Sequence, residues 1–353
     1  MSNRNVVAIG TSAGGVEALV YLTKQFPSDF PAAVLITIQL PRGGRSYLDE
    51  VLGNAGPLPV SFAGDGEPLQ EGHVYLAPPE RHLLAEGQNV ALGKGPQENW
   101  ARPAIDPMMR SVAVCCGARS IGVILTGTLG DGASGLWAIR QCGGIAVVQD
   151  PNDAAFPEMP SRALNLSDPH HVASLSKIPS LLEKLVHQSS GDPMPCPKRL
   201  NFEVKVAKGE GSSIEELEQV GHRSVLSCPQ CGGVMWEIEE DNGVRYRCHV
   251  GHALSAEAMN VGITDKVREA LYVALRALDE QAALANKLLT EAATKGRNLS
   301  TDFWIRRKEE TDRQRDVIRS AIKYNDGIAF QSVEESEKGN ETIRFDKRKR
   351  RHA

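Results

Sequence analysis

Ser12 sits in the run Gly10-Thr11-Ser12-Ala13-Gly14-Gly15, directly after the apolar residues Val6, Val7, Ala8 and Ile9. Four apolar residues in a row read as a buried strand, and the glycines as a tight turn into a helix over residues 16–26. On such a turn a serine hydroxyl stands above the carboxyl end of a sheet, beside the N–H groups of a helix start. That placement suits a nucleophile. A phosphate-cradling loop or a plain helix cap fits the same stretch, and the stretch taken alone favours them. Asp131, in Leu125-Thr126-Gly127-Thr128-Leu129-Gly130-Asp131-Gly132-Ala133, also precedes a helix, where aspartate is commonly an N-cap. A third turn, residues 37–45, carries Gln39 after another apolar strand.

A separate group could hold metal. Cys228-Pro229-Gln230-Cys231-Gly232-Gly233 is followed by Trp236 and by Tyr246-Arg247-Cys248-His249-Val250-Gly251-His252. Each half places two donors on a tight knuckle, with glycines letting the backbone turn, as in zinc ribbons. Cys228, Cys231, Cys248 and His252 are the expected ligands. His249 competes for the fourth place, but its adjacency to Cys248 is sterically awkward. Iron, or a reduced thiol cluster without metal, is the alternative. The role is structural, since so short a segment builds no core unaided.

The elements that must position these residues alternate. Strands are expected at residues 33–38, 73–76, 121–125, 145–149 and 171–174, and helices at 45–52, 106–116, 133–141, 159–165 and 177–186. This pattern predicts an α/β class: a doubly wound, mostly parallel sheet with ligands at its carboxyl edge. Residues 58–92, broken by Gly64, Gly66, Gly72, Gly87 and Pro78-Pro79, predict an antiparallel hairpin region at a sheet edge. Residues 188–224, with Pro193, Pro195 and Pro197, read as a linker. The Cys/His segment spans 225–258. Leu271, Leu275, Leu278 and Leu288 predict a helical hairpin over 259–324, broken near residues 298–302. The basic end, 325–353, reads as a disordered tail.

Composition excludes some functions. The 353 residues carry a net charge of −4, so bulk charge does not point to nucleic acid. No stretch approaches the roughly 20 apolar residues of a membrane span, and no signal-peptide pattern opens the chain, so a cytoplasmic protein is expected. Of 7 cysteines, Cys115, Cys116 and Cys142 lie in apolar surroundings and are expected to pack as reduced thiols.

Residues 9–15, 125–133, 72–83, 102–106 (Arg-Pro-Ala-Ile-Asp) and 151–164 (Pro-Asn-Asp-Ala-Ala-Phe-Pro-Glu-Met-Pro-Ser-Arg-Ala-Leu) together resemble the catalytic domain of the chemotaxis protein-glutamate methylesterases, the CheB type. The resemblance covers residues 5–187. It implies a catalytic domain over 1–187 whose Ser-His-Asp triad hydrolyses glutamyl methyl esters on cytoplasmic helices of methylated chemoreceptors, and in some members deamidates receptor glutamines. The nucleophile falls on Ser12 and the triad aspartate on Asp131. The family's histidine base is replaced by Gln39, and Thr128 stands where many members have methionine. Backbone N–H groups near Ala13 and in residues 128–130 are the expected oxyanion donors.

Gln39 matters most, because serine is a poor nucleophile until a neighbour takes its proton and an amide has no titratable site in the useful range. His73, His82, His170 and His171 are expected to be satisfied or exposed, not substitute bases. Catalysis needs no cofactor by this resemblance, and the Cys/His segment resembles extensions on some stand-alone methylesterase-like proteins. The resemblance starts at once, so a preceding receiver domain is not expected and control is assigned to the C-terminal part or to partners. The C-terminal helices are a candidate surface for a signalling partner; neither nucleic acid nor membrane insertion is expected. The rival function is a degenerate esterase that binds receptor or partner without turnover.

Overall fold

The structure, a computed structural model, describes residues 3–39, 46–192 and 194–349, with side chains apart from those of 298 and 326–349. Residues 40–45 of the Gln39 turn and residues 350–353 of the basic end lie outside the described residues.

Strand β1 (Val6–Thr11) leads into α1 (Gly15–Gln25), β2 (Ala33–Ile38), α2 (Leu48–Gly53), β3 (Val60–Phe62) and β4 (Val74–Leu76). A hairpin, β5 (His82–Glu86) and β6 (Asn89–Gly93), precedes α3 (Ile105–Cys116), β7 (Ser120–Ile124), α4 (Ala133–Gln141) and β8 (Ile145–Gln149). Helix α5 (Glu158–Ser167), β9 (His171–Ala173) and α6 (Ile178–Val186) complete the α/β portion. Seven strands form one sheet in the order β3-β4-β2-β1-β7-β8-β9, every pair parallel. All six residues of β1 and of β2 are buried, because helices cover both faces. One face packs α3 and α4 through Met108, Val112, Leu136 and Ile139; the other packs α1 and α6 through Leu19, Leu22, Leu182 and Val186.

Three expectations change within residues 58–224. Of the strands within residues 58–92, β5 and β6 pair antiparallel as their own two-stranded sheet, with a Pro68–Asn89 bridge beside them; β3 and β4 join the main sheet in parallel, β4 inside the edge. Residues 188–224 are no open linker. Helix α7 (Arg199–Lys208) buries Leu200, Phe202, Glu203 and Val206, and α8 (Ile214–Val220) buries Leu217 under a Ser213–Glu216 capping box. The prolines and serines mask this apolar face in a composition reading. Cys142 is not a free thiol: it is bonded to Cys196, with the two Cα atoms 4.7 Å apart, inside the usual disulfide range.

The Cys/His segment is a four-stranded antiparallel sheet, β10 (His222–Ser227), β11 (Val234–Glu240), β12 (Gly243–Cys248) and β13 (Ala253–Ser255). It belongs to the same compact unit as the α/β portion, Met1–Asn260. Helix α9 (Ala256–Thr294) continues into a second unit, Val261–Ala353, with α10 (Asn298–Lys349). The break falls at residues 295–297, where Gly296 adopts φ 65°. Within that unit Arg315 Nη1 meets Asp279 at 3.5 Å and Thr311 Oγ1 meets Gln281 Oε1 at 3.3 Å. The helical backbone runs past residue 325 to Lys349 instead of ending in a coil; that stretch lacks proline and is rich in the strong helix formers Glu and Lys.

Candidate active site and metal centre

Three adjacent strands deliver three turns to one edge. Ser12 follows β1, Gln39 follows β2, and residues 126–131 follow β7, the strand on the other side of β1. In open α/β sheets the crevice beside such neighbouring carboxyl ends is where ligands sit. The Ser12 turn is pinned from below: its N–H donates to Thr126 O at 3.1 Å, and Thr11 Oγ1 donates to the same carbonyl at 2.8 Å. Gly14, at φ 70°, supplies the left-handed step into α1. Gly127 lies so close that a Cβ there would stand 2.9 Å from Ser12 Cβ and 2.8 Å from Met159 Cε, so only glycine lets the two turns meet.

Gln39 Nε2 donates to Asp131 Oδ2 at 2.6 Å. Asp131 is fully buried and accepts three more bonds: from Ile105 N–H at 2.7 Å, Asp106 N–H at 3.2 Å and Asn99 Nδ2 at 3.1 Å. Burial pushes its carboxyl up, and the Ile105, Asn99 and Asp106 donors oppose that. Ser12, Gln39, Asn99, Trp100 and Leu129 line one cleft of about 540 Å³. Asn99, Trp100 and Leu129 hold φ values of 48°, 67° and 62°, left-handed backbone that non-glycine residues adopt only when the surroundings impose it.

No histidine lines this cleft among the described residues. His82 is buried with Nε2 2.9 Å from Pro96 O and Nδ1 accepting from Ala104 N–H; His73 pairs with Ser61 at 2.8 Å; His170 Nδ1 accepts from Ala146 N–H at 3.1 Å. His171 lies on β9 at the far edge of the sheet. The carboxylate of Asp131 therefore faces the amide of Gln39.

Behind Asp131 lies a cluster of buried charges that the sequence reading missed. Asp106 Oδ1 accepts from Gly135 N–H at 2.6 Å, and Arg110 Nη2 stands 3.4 Å from Oδ2. Burial raises Asp106 to about 7; Arg110 opposes, while Asp131 and Glu98 add to the rise. Glu98 bonds both Arg110 Nη1 and Arg247 Nη2 at 2.7 Å. Burial would raise Glu98, but Arg110 and Arg247 outweigh it and hold it at about 2. Glu203 of α7 meets Arg245 and Arg247 of β12, and Arg245 Nε meets Glu240 at 2.8 Å. Arg245 and Arg247 point to the same side of β12, two residues apart, which is the sole trace of this network in the sequence.

In the Cys/His sheet, Cys228, Cys231, Cys248 and His252 bring one donor atom each within 4.8 Å of one another, a set that could hold a metal ion. Cys231 and Cys248 sulfurs are 3.6 Å apart, and Cys228 Sγ is 3.8 Å from His252 Nδ1. Zn–S bonds of about 2.3 Å at tetrahedral angles put sulfurs roughly 3.8 Å apart, so the donors fit such an ion. His249 is not in the cluster; its ring lies against Gly233.

The family model for CheB methylesterase matches residues 7–182. Residues of this chain are 38% identical over 187 residues to protein-glutamate methylesterase/protein-glutamine glutaminase 4 of Myxococcus xanthus, covering 53% of each chain. Identity is 35% over 187 residues to the protein-glutamate methylesterase/protein-glutamine glutaminase of Pyrococcus horikoshii, covering 52% of this chain and 51% of that one. The crystal structure of the Thermotoga maritima CheB methylesterase catalytic domain matches with a TM-score of 0.50 and 31% identity, covering 53% of this chain and all of that one. The chain thus spans about half the length of the curated relatives it matches.

Proposed function

This chain belongs to the CheB methylesterase family, and from that premise we propose that its Ser12 cleft takes glutamyl methyl esters on chemoreceptor helices and hydrolyses them at a rate cut down by Gln39. Ser12 Oγ bonds to the ester carbonyl carbon, the bond to the methoxy oxygen breaks and methanol leaves; water then cleaves the acyl-enzyme and restores Ser12. Receptor glutamine amides would be attacked in the same way, with ammonia leaving. The N–H groups of Ser12 and Gly127 are engaged by Thr126 O and Phe156 O. Oxyanion donation is assigned to the turns at Ala13 and at residues 128–130.

The observation that carries the reading is the 2.6 Å bond from Gln39 Nε2 to Asp131 Oδ2. It supports a triad arranged in space with its middle member unable to accept a proton. Among the described residues no histidine lines the cleft beside Gln39, so water is assigned to receive the Ser12 proton. By analogy with serine proteases stripped of their histidine, the loss is on the order of 10⁶ in kcat, with roughly 10³–10⁴ over water left from binding and the oxyanion hole. The missing base also favours a second reading, a receptor-binding module in signalling that holds methylated helices without useful turnover. The chain's setting is then the cytoplasm, where those helices lie; the C-terminal helices are assigned to a signalling partner. Cys228, Cys231, Cys248 and His252 are assigned a structural zinc, and catalysis uses no cofactor.

Methanol release from a methylated receptor fragment, measured beside binding of the same fragment, tests this. Binding with very slow release that Ser12→Ala abolishes is the expected result. Turnover at an ordinary enzyme rate, roughly 1–10³ s⁻¹, or release that survives Ser12→Ala, would contradict it.

A further inference from the structure

We propose that Asn99 is a positioning residue through which the Cys/His sheet holds the Asp131 carboxylate, so that metal loading of that sheet helps assemble the ester-binding cleft. The inference rests on the assignments of Ser12, Gln39 and Asp131 to the active site and of zinc to the Cys/His cluster.

Asn99 is buried, and its polar groups split between two structures. Its N–H donates to Ala253 O at 2.8 Å and its Oδ1 accepts from Ser255 N–H at 2.9 Å, both in β13. Its Nδ2 donates to Asp131 Oδ1 and to Asp106 Oδ2, each at 3.1 Å. The flanking residues are drawn to the same sheet. Gln97 O accepts from Ala253 N–H at 3.3 Å, and Gln97 Oε1 accepts from Gln230 Nε2 at 2.9 Å, between the first two cysteines. Trp100 Nε1 donates to Ala258 O at 3.2 Å while Trp100 itself lines the Ser12 cleft.

Residues 97–99 therefore ride on the edge of β13, and Trp100 on the first turn of α9 that follows it. Of the four donors to Asp131, three come from the α/β portion and only Asn99 is placed by the Cys/His sheet. The hydrophobic cluster of that sheet is small, centred on Met235, Leu254 and Met259 beside Cys228 and Cys248. Trp236 anchors the sheet on α7 and α8, but the end that carries the ligands and β13 has only this small cluster and depends on its metal. Removing the metal loosens β13, frees the left-handed backbone at Asn99, and takes one donor from Asp131 and one wall from the cleft.

The experiment uses the full chain and the side-chain amide N–H signals of Gln39, assigned by their loss in Gln39→Met. Asn99→Gly keeps the backbone free to adopt positive φ and removes only the side chain. The Gln39 signals are expected to move in Asn99→Gly, at unchanged zinc content, and in the native chain on removal of zinc by a chelator, returning when zinc is restored. In a Gln39→His background, Asn99→Gly should lower kcat about tenfold, the value of one lost hydrogen bond to a charged group, with KM little changed. Gln39 signals unmoved by either perturbation, or a kcat unchanged by Asn99→Gly, would overturn the inference. If Gln39→His proves inactive, the esterase reading falls, while the Gln39 signals still decide the role of Asn99.

Discussion

Glu203 on α7 is the sharpest structural test, because it joins a segment that reads as a linker to the buried heart of the molecule. Its carboxylate meets Arg245 and Arg247, and lies 3.6 Å from Arg110 Nη1. Below about pH 7, where Asp106 beside Arg110 keeps its proton, Glu98, Glu203 and Glu240 balance Arg110, Arg245 and Arg247 one for one. Burial alone would raise the Glu203 carboxyl, but the three guanidiniums outweigh it and hold it below the usual range. Glu203→Ala leaves the cluster with one uncompensated positive charge. Each arginine keeps a second carboxylate, so none is stripped bare, yet the excess charge has no water to solvate it. Removing one partner of a buried ion pair costs about 3–5 kcal/mol. At roughly 2–4 °C per kcal/mol for a unit of this size, the melting temperature should fall by roughly 6–20 °C. Calorimetry of Glu203→Ala beside the exposed control Glu210→Ala measures it, and the deficit should persist at high salt because screening does not reach buried pairs. A fall no larger than the control's would refute the reasoning, and with it the claim that α7 and the Cys/His sheet are built into the α/β portion.

Stability should also depend on pH from both sides. Glu98 is held at about 2 when folded, so its contribution is complete above its usual value near 4.5 and is lost as pH falls from there toward 2. Asp106 is raised to about 7, so the stability it confers is complete below its usual value near 3.8 and is lost as pH rises through 7. Urea midpoints should peak at about pH 4–4.5, where the Glu98 gain is complete and the Asp106 loss is only beginning, and Asp106→Asn should flatten the alkaline limb; a curve rising steadily to pH 8 would count against this. One zinc per chain should survive dialysis, and Cys231→Ser should lose it and unfold at lower temperature. Metal analysis finding no zinc in the native chain would remove that site.

The first strand and its turn were legible because the signal is local: an apolar run, then glycines, then helical periodicity. The parallel α/β sheet followed from alternating elements. The pairing of Gln39 with Asp131 came from family resemblance, since nothing in the spacing of residues 92 apart announces a contact. Asn99 was invisible for the same reason: its partners lie 32 residues ahead in one direction and 156 in another. Arg245 and Arg247 look like the solvent face of a strand; the carboxylates of Glu98 and Glu203, from distant segments, together with nearby Glu240, make their burial tolerable. The Cys142–Cys196 bond spans 54 residues across a stretch whose prolines suggest a linker. Local chemistry could be read, and side chains whose meaning lies in a distant partner could not.

The central claim is that the cleft is a methylesterase site complete but for its base. Methanol release from methylated receptor by the native chain and by Gln39→His measures it directly. With Asp131 already 2.6 Å from the side chain at position 39, an imidazole there would be oriented by the same carboxylate. Recovering even part of the roughly 10⁶ lost with a triad histidine should raise kcat by at least about 10³-fold. Equal rates for the two proteins would contradict the account.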